Sequence, residues 1–414
     1  MSEWQKVKLK DCCIKIGSGS TPKGGSMVYV NSGTSLIRSQ NVYNLSFDYN
    51  GLTHITEDAA NKLKGVTVFN EDILLNITGD SVARTCIVPK EVLPARVNQH
   101  VAIIRTDRKK MNWRFLNYYL ASPKMQAHML SLAVGKGASR NAITKQMIEN
   151  FEVPYPPLST QQRIATILSR YDSLIENYQK QIKLLEEAAQ RLYKEWFIDL
   201  RFPGHENTKI VDGVPEGWEK KTIDDVTCKV TTGLNPRKNF VLGKGSNYYV
   251  TIKNMADNTL FLDDRCDRVD NEALEKINKR SDLKIGDILF SGIGTIGRVA
   301  LVDIPTNNWN VSESVFTLRV NDIVTKEFLY LMLLSPDMQN YCQSNAHGAA
   351  QKGIRMADLK AYSFNLPPFG VIQKFTNLVT PTIKKVSSIR NQIRLLTEAR
   401  DRLLPKLMNG EIAV

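Results

Sequence analysis

The sequence has few of the residues that build metal sites and disulfide frameworks. It contains 6 cysteines and 5 histidines among 414 residues, and no two cysteines have the CxxC spacing. Histidine pairs with the HxE or HxxxH spacing are also missing, so we expect no zinc site. The N-terminus is polar and lacks the apolar core of a signal peptide. We therefore expect reduced thiols in a cytoplasmic protein.

Long hydrophobic runs are also missing. No stretch reaches the roughly 18 consecutive apolar residues that a membrane-spanning helix needs, so we expect no membrane partner. The length of 414 residues is enough for two or three domains, and an apolar content of 42% supports real cores. The net charge of +13 favours a polyanionic partner, most commonly nucleic acid, although a generally basic surface would have the same composition.

A long amphipathic helix is predicted over residues 159–202. Its apolar residues form two rows with seven-residue spacing, offset by four, which is the a/d seam of a coiled coil. The N-cap sequence Ser159-Thr-Gln-Gln162 begins the helix, and Pro203-Gly204 ends it. The predicted seam residues are Ile164, Leu168, Tyr171, Ile175, Tyr178, Ile182, Leu185 and Leu192.

A second copy of this helix lies near the C-terminus. Adding 211 to the positions of the first seam gives a second seam, in which eight of ten positions stay apolar. Pro381 is expected to kink this helix. Arg400 is a charged residue on the seam, and its guanidinium either reaches solvent or faces a third partner. The two helices most simply pair with each other as a spacer. The predicted seam residues of the second helix are Val386, Ile389, Ile393, Leu396 and Leu403.

The segments that precede the two helices also repeat. The sequence Trp4-Gln-Lys-Val-Lys-Leu9 corresponds to Trp218-Glu-Lys-Lys-Thr-Ile223, and residues 115–126 correspond to residues 328–339. We therefore predict an α+β protein made by tandem duplication, with two mixed α/β domains separated by two long helices. The predicted segments are a first domain at 1–157, a central helix at 158–203, a second domain at 204–368 and a distal helix at 369–414.

Three motifs suggest catalytic chemistry, but each has a simpler explanation. Residues 292–297 fit GxGxxG, yet a strand is predicted after them in place of the helix that dinucleotide binding requires. Residues 365–369 resemble the NPPF motif of amino-methyltransferases, but Leu366 separates the asparagine from the prolines. Asp263, Asp264 and Asp282 are carboxylates of the kind that hold metals, but the first half has no counterpart. We therefore predict no catalytic residue, metal or cofactor site in this chain.

Loops in both halves are rich in side chains that bind DNA. Arginine and lysine pair with guanine and contact phosphates, and asparagine and glutamine pair with adenine. Each residue alone is readily explained as a solvated loop residue, but as a set on corresponding turns they predict a DNA-reading surface. The candidates in the first half are Lys23, Arg38, Gln40, Asn41, Arg84, Asn98, Gln99, Lys136, Ser139 and Arg140. The candidates in the second half are Arg237, Lys238, Lys253, Asn254, Arg298, Gln351, Lys352 and Arg355.

The whole chain resembles the specificity subunits of type I restriction–modification enzymes. The resemblance is carried by the Gly-Ser-Thr-Pro-Lys loop ending at Lys23, by residues 71–79 with the strand that follows Asn98-Gln-His100, and by residues 137–163, which lead into the long helix. The last of these runs occurs twice and is the most specific. The second half departs from the pattern at residues 310–313 and in the residues after Pro367-Pro368.

This resemblance implies the architecture and the partners of the chain. Each globule would be a target recognition domain, and the two helices would form an antiparallel coiled coil. The partners would be double-stranded DNA with a bipartite, asymmetric site, two modification subunits and two restriction subunits. The modification subunits would bind S-adenosylmethionine and methylate adenine N6. ATP and Mg would be used by the restriction subunits, and the chain itself would hold no cofactor.

Two alternatives from other functional classes remain open at the level of the sequence. One is a stand-alone DNA-binding regulator on the same scaffold, which would bind a specific duplex tightly without partners. The other is an enzyme with an unrecognised site, which would show nuclease or methyltransferase turnover by itself.

Overall fold

The structure is a computed structural model that describes residues 4–134, 141–256, 258–348 and 352–414. The chain divides into two compact units. Unit 1 contains residues 1–177 and 393–414, and unit 2 contains residues 178–392. Each unit therefore consists of one mixed α/β domain and a stretch of each of the two long helices.

The domain of unit 1 is built from short strands and helices. A four-stranded antiparallel sheet has the order β10-β9-β12-β2, and a second sheet has the order β3-β7-β4-β11-β8. In the second sheet β4 and β11 run parallel, with Ile37 opposite Val97. The elements are β1 (Lys6–Lys8), α1 (Leu9–Cys12), β2 (Cys13–Ser18), β3 (Tyr29–Val30), β4 (Thr34–Ile37), β5 (Val42–Tyr43), β6 (Ser46–Phe47), β7 (Thr53–Ile55), α2 (Glu57–Lys62), β8 (Thr67–Val68), β9 (Ile73–Asn76), β10 (Thr85–Ile87), β11 (Ala95–Val97), β12 (Val101–Thr106), α3 (Trp113–Ala121), α4 (Pro123–Ala133), α5 (Lys145–Glu149), β13 (Glu152–Pro154) and the long helix α6 (Leu158–Phe197).

The domain of unit 2 repeats this plan. Its four-stranded sheet has the order β17-β25-β22-β23, and its second sheet has the order β21-β18-β24. The parallel pair is again present, with Val250 of β18 opposite Val311 of β24. The elements are β14 (Ile210–Val211), β15 (Val214–Pro215), β16 (Glu219–Thr222), β17 (Thr227–Thr232), β18 (Asn247–Val250), β19 (Met255–Ala256), β20 (Thr259–Leu260), β21 (Asp267–Val269), α7 (Asn271–Ser281), β22 (Ile288–Ser291), β23 (Val299–Leu301), β24 (Trp309–Val311), β25 (Val315–Val320), α8 (Lys326–Leu333), α9 (Pro336–Ser344), α10 (Met356–Lys360), β26 (Ser363–Leu366) and the long helix α11 (Phe369–Met408).

A buried ion pair occupies the same place at the four-stranded sheet of each unit. Arg105 Nε lies 2.7 Å from Asp72 Oδ1 in unit 1, and Arg319 Nε lies 2.7 Å from Asp287 Oδ1 in unit 2. Both carboxylates are buried, and each accepts a second hydrogen bond from the same guanidinium. Hydrogen bonding to Asp287 raises the pKa of Arg319, against the opposing effect of burial. The bidentate geometry makes each pair a rigid link between strands.

The first long helix ends before the predicted boundary. Helix α6 ends at Phe197 rather than at Phe202, because the following residues fold back on its last turn. The amide of Asp199 donates to the carbonyl of Lys194, and Leu200 adopts a positive φ of 58°. The second helix, α11, runs without a break from Phe369 to Met408 and includes Pro381.

The predicted seam residues face the interior of their units. Ile164, Leu168, Ile175, Val386 and Ile389 are buried. The other predicted seam positions are half-buried, and these are Tyr171, Tyr178, Ile182, Leu185, Leu192, Ile393, Leu396 and Leu403. In contrast, Leu184 and Leu395, which lie off the seam, are exposed.

In each unit the stretches of α6 and α11 run antiparallel. In unit 1, Asp172 pairs with Arg400, while the earlier Leu168 shares an apolar cluster with the later Leu404. In unit 2, Glu186 pairs with Arg390, while the later Trp196 packs on the earlier Phe375 with 5.7 Å between ring centroids. The predicted antiparallel helix pair, and with it the α+β fold, is confirmed.

Two expectations from composition concern thiols and membrane helices. All six cysteines are free, and Cys228 is exposed whereas Cys86 and Cys342 are buried. Among the residues that the structure describes, no helix is both long and apolar enough to cross a membrane.

Candidate nucleic-acid interface

Two turns begin where the parallel strands of unit 1 end. The turn Ser39–Asn41 follows β4, and the turn at residues 98–100 follows β11. Parallel strands place their carboxyl ends at one edge of a sheet. The amide of Asn98 donates to the carbonyl of Ile37 at 3.1 Å, which holds the two turns side by side.

The glycine-rich loop after β2 reaches the same edge. The amide of Ser20 donates to the carbonyl of Val97 at 3.0 Å. A Cβ atom at Gly19 would lie 2.0 Å from the carbonyl oxygen of Val97, so only glycine allows this approach. The loop carries Lys23, which is exposed.

The turn between β9 and β10 completes this edge in unit 1. Thr78 Oγ1 and His100 Nδ1 are 2.6 Å apart, which joins this turn to the one after β11. The amide of Gly79 donates to the carbonyl of Asn141, so Asn141 also lies at this turn. Thr78 and His100 were not among the predicted site residues, although the run Asn98-Gln-His100 in the sequence pointed to this turn.

Unit 2 brings the corresponding segments together in the same way. The amide of Ser312, after β24, donates to the carbonyl of Val250 at 2.8 Å. A Cβ atom at Gly233 would lie 1.6 Å from the carbonyl oxygen of Val311, as at Gly19 in unit 1. The amide of Gly294 donates to the carbonyl of Lys352 at 2.8 Å. Each unit therefore has one loop edge, defined as the four converging segments after β2, β4, β9 and β11 or after β17, β18, β22 and β24.

Many predicted DNA-binding residues are exposed on these segments. Arg38 is half-buried, and its Nη2 donates to the carbonyl of Gly51 at 2.6 Å. The exposed candidates on these segments are Lys23, Gln40, Gln99, Arg237, Lys238 and Lys253, whereas the exposed candidates Lys352 and Arg355 lie between α9 and α10. Lys136, Ser139, Arg140 and Gln351 lie outside the described residues.

Three predicted base readers form hydrogen bonds within the turns. Asn41 is buried; its Oδ1 accepts from the amide of Arg38, and its Nδ2 donates to the carbonyl of Asp48. Asn254 is buried in the same role, with its Oδ1 accepting from the amide of Thr251. Asn98 Oδ1 accepts from the amide of His100. These contacts give the Oδ1 atom of each residue a role in fixing the local backbone, and base reading by these three residues stays a prediction.

Two arginines at equivalent positions have different surroundings. The guanidinium of Arg84 lies over the ring of Tyr43, 4.5 Å from its centroid. Arg298 Nη1 donates to the carbonyls of Ile252 and Met255 at 3.0 and 2.6 Å. The side chain of Arg298 therefore stabilises the turn that follows β18 in unit 2.

The motifs that suggest catalysis have structural roles. The GxGxxG run at residues 292–297 connects β22 to β23, so no helix follows it. Asp263 pairs with Arg265, whose hydrogen bond lowers the pKa of that carboxyl, and Asp282 pairs with Arg319. Within the described ranges, no three His, Cys, Asp or Glu side chains are grouped as metal ligands.

Comparison with known proteins identifies the family of this fold. The sequence matches the family described as Type I restriction modification DNA specificity domain at residues 1–187 and again at 215–393. The chain belongs to this family. The predicted tandem duplication is confirmed by these two matches, which together cover most of the chain, and the chain is a type I restriction–modification specificity subunit.

Individual relatives agree with this assignment. The chain is 27% identical to the Type I restriction enzyme MjaIX specificity subunit of Methanocaldococcus jannaschii, aligned over 100% of this chain and 94% of that protein. It is 26% identical to the EcoBI specificity subunit of Escherichia coli, aligned over 99% and 86%. The crystal structure of the S subunit from M. genitalium has the same fold, with a TM-score of 0.59 at 16% identity, covering 98% of this chain and 96% of that chain.

Proposed function

We propose that this specificity subunit reads a bipartite, asymmetric site in double-stranded DNA, with one target recognition domain for each half-site. The observation that supports this proposal is the repeated loop edge, where the same four segments converge in both units. Exposed lysine and arginine side chains on these segments suit DNA phosphates. The edge is built on sheet ends and fixed by buried amides, so its side chains are presented on a rigid base.

The two loop edges differ in the side chains that they present. Gln40 of the first domain corresponds to Lys253 of the second, and Gln99 corresponds to Glu313. Glutamine pairs with adenine, lysine with guanine, and glutamate accepts a hydrogen bond from cytosine. The two domains would therefore read different half-sites, and the helix pair would act as the spacer between them.

Catalysis belongs to partner subunits in this proposal. Two modification subunits would dock on the chain, bind S-adenosylmethionine and methylate adenine N6 in each half-site. Two restriction subunits would use ATP and Mg to translocate and cleave unmethylated DNA. The specificity subunit would work with them in the cytoplasm, where chromosomal DNA lies, and would supply no catalytic group of its own.

The test is methylation by a reconstituted complex. The full chain is co-purified with its modification subunit and incubated with a pool of random duplexes and S-adenosylmethionine. We expect adenine methylation within one bipartite motif, and none when either protein is omitted. Binding should weaken steeply with salt because phosphate contacts release counterions.

Two results would contradict this proposal. Tight binding of one specific duplex by the chain alone, without any effect on methylation by the complex, would favour a stand-alone regulator. Methylation or cleavage by the purified chain alone would show that it is an enzyme.

A further inference from the structure

The turn that follows β4 or β18 is anchored by a different side chain in each unit. In unit 1, Asn76 Nδ2 donates to the carbonyls of Ser39 and Val42, at 2.8 and 3.4 Å. In unit 2, Arg298 Nη1 donates to the carbonyls of Ile252 and Met255. The anchor therefore comes from the strand β9 in one domain and from the hairpin after β22 in the other.

Backbone hydrogen bonds show that these positions are equivalent. The amide of Asn76 donates to the carbonyl of Arg84 at 2.8 Å, and the amide of Ser291 donates to the carbonyl of Arg298 at 2.9 Å. Arg84 therefore corresponds to Arg298, and Asn76 corresponds to Ser291. The matching side-chain caps of the two turns likewise pair Ser39 with Ile252 and Val42 with Met255. The same two carbonyls are thus bridged in both domains.

The exchange of anchors explains the two environments of the arginine. Where unit 1 has the amide of Asn76, unit 2 has Ser291, whose hydroxyl donates to the carbonyl of Thr295. Where unit 1 has Tyr43, unit 2 has Ala256, which has no ring. In unit 1 both carbonyls accept from Asn76, and the guanidinium of Arg84 lies over the ring of Tyr43.

Arg84 keeps its hydrogen-bonding capacity. Its side chain makes no hydrogen bond or ion pair with any other described residue, whereas a guanidinium has five N–H donors. Stacking on the half-exposed ring of Tyr43 orients the guanidinium without using those donors. The guanidinium of Arg84 is half-buried, oriented and without a hydrogen-bond partner in the described part of the chain, and it lies beside the turn after β4. Such a group suits an anionic partner.

Resting on the proposed function, we infer that Arg84 contacts DNA in the first half-site, whereas Arg298 is a positioning residue that holds the turn after β18 in the second domain. The two equivalent arginines therefore have different roles. Asn76 is the positioning residue of the first domain.

The experiment uses the full chain in complex with its modification subunit and the duplex that the wild-type complex methylates. We expect Arg84→Ala to weaken binding about tenfold or more while leaving the melting temperature unchanged. A phosphate contact would lower the slope of log affinity against log salt by about 0.9, and a base contact would relax sequence preference in the first half-site. The matched control is Arg114→Ala, because Arg114 also stacks on a ring, Trp113 at 4.6 Å, but lies on α3; it should leave both the salt slope and the motif unchanged.

Arg298 should behave in the opposite way. Arg298→Ala should lower the melting temperature and relax selectivity in the second half-site, with the salt slope unchanged. Arg298→Lys should restore part of both losses, because an ammonium can donate to two carbonyls. The double variant Asn76→Ser with Tyr43→Ala recreates the surroundings found in unit 2; it should lower the affinity as Arg84→Ala does, and adding Arg84→Ala should then cause no further change in salt slope.

Three results would overturn the inference. Unchanged affinity, salt slope and motif in Arg84→Ala would remove Arg84 from the DNA interface. A lower salt slope in Arg298→Ala at an unchanged melting temperature would make Arg298 a DNA contact. If the wild-type complex methylates no bipartite motif, the proposed function itself fails, and the inference fails with it.

Discussion

Arg400 of α11 donates from Nη1 to Asp172 Oδ1 of α6 at 2.7 Å. Asp172 also accepts a hydrogen bond from the hydroxyl of Tyr118 on α3, so one carboxylate joins both helices to the domain of unit 1. Burial, followed by the charge and hydrogen bond of Asp172, raises the pKa of Tyr118, which therefore stays a donor at neutral pH. Arg400, the charged residue on the predicted seam, therefore has a partner inside unit 1. The sequence had left open whether its guanidinium reaches solvent or faces a third partner, and in the structure it pairs with Asp172.

Removal of this carboxylate should destabilise unit 1. We expect Asp172→Asn to lower the free energy of unfolding by about 2 kcal/mol, because the largely buried Arg400 would lose its carboxylate partner on α6 and keep only the exposed Asp401. Hydrogen–deuterium exchange should increase in residues 158–177 and 393–408. The control is Glu149→Gln, which breaks the exposed pair with Lys145 and should change stability by less than about 0.5 kcal/mol. Equal effects of the two variants would contradict the role of Asp172.

A methyl group at Gly19 should disturb DNA binding. Gly19→Ala places a carbon against the carbonyl of Val97, so the loop that carries Lys23 must move away from the edge. We expect the affinity of the complex for its duplex to fall about tenfold, which corresponds to about 1.4 kcal/mol. Gly17→Ala is a close control, because nothing lies within 4 Å of its added Cβ and its backbone is not in the left-handed region. Similar binding by both variants would show that the approach of this loop is irrelevant to binding.

The buried ion pair of unit 2 should matter more than an exposed one. Asp287→Asn leaves Arg319 without its bidentate partner, and we expect a loss of about 3 kcal/mol in the free energy of unfolding. Glu272→Gln removes the exposed pair with Lys276 on α7 and should cost about 0.5 kcal/mol or less. Urea denaturation of the full chain, followed by tryptophan fluorescence, measures both values. A loss below about 1 kcal/mol for Asp287→Asn would contradict this estimate.

The thiols should differ strongly in reactivity. Burial raises the pKa of Cys86 and of Cys342 to about 12, so both stay protonated at pH 8, and only the thiolate reacts. Cys228 is exposed, and we expect it to react first with a thiol reagent in the native protein. The fast phase of the reaction with the thiol reagent should disappear in Cys228→Ser and should remain in Cys342→Ser. Its loss in Cys342→Ser instead would mean that the region around α9 opens readily.

The repeated architecture was predictable because apolar spacing and turn residues are local signals. The two heptad rows located α6 and α11, and the repeated segments located the two domains. The end of α6 was predicted too far along the chain. Leucine rarely adopts a positive φ, so nothing in the sequence indicated the turn at Leu200. Pro381 was expected to kink α11. The helix runs without a break through this residue, where Val379 and Ile383 pack in the apolar core of unit 2, and a kink at Pro381 stays a prediction.

The candidate site was only partly predictable, because side-chain type does not reveal side-chain direction. Asn41 and Asn254 have the side chain that pairs with adenine, but the side-chain oxygen of each caps its own turn. The repeated spacing of Arg38 to Asn41 and Thr251 to Asn254 resembles a capping box, and that signal could have identified them. The different anchors Asn76 and Arg298 depend on contacts between residues more than 30 apart in the chain, which no local pattern encodes.

The most direct test of the central claim is the adenine methylome of cells with and without this chain, with the modification partner present. We predict that N6-methyladenine is lost from one bipartite motif when the chain is absent and returns when the chain is restored. The motif would also give both half-sites at once. An unchanged methylome, with the chain expressed and folded, would contradict the proposal that this subunit directs methylation to a DNA sequence.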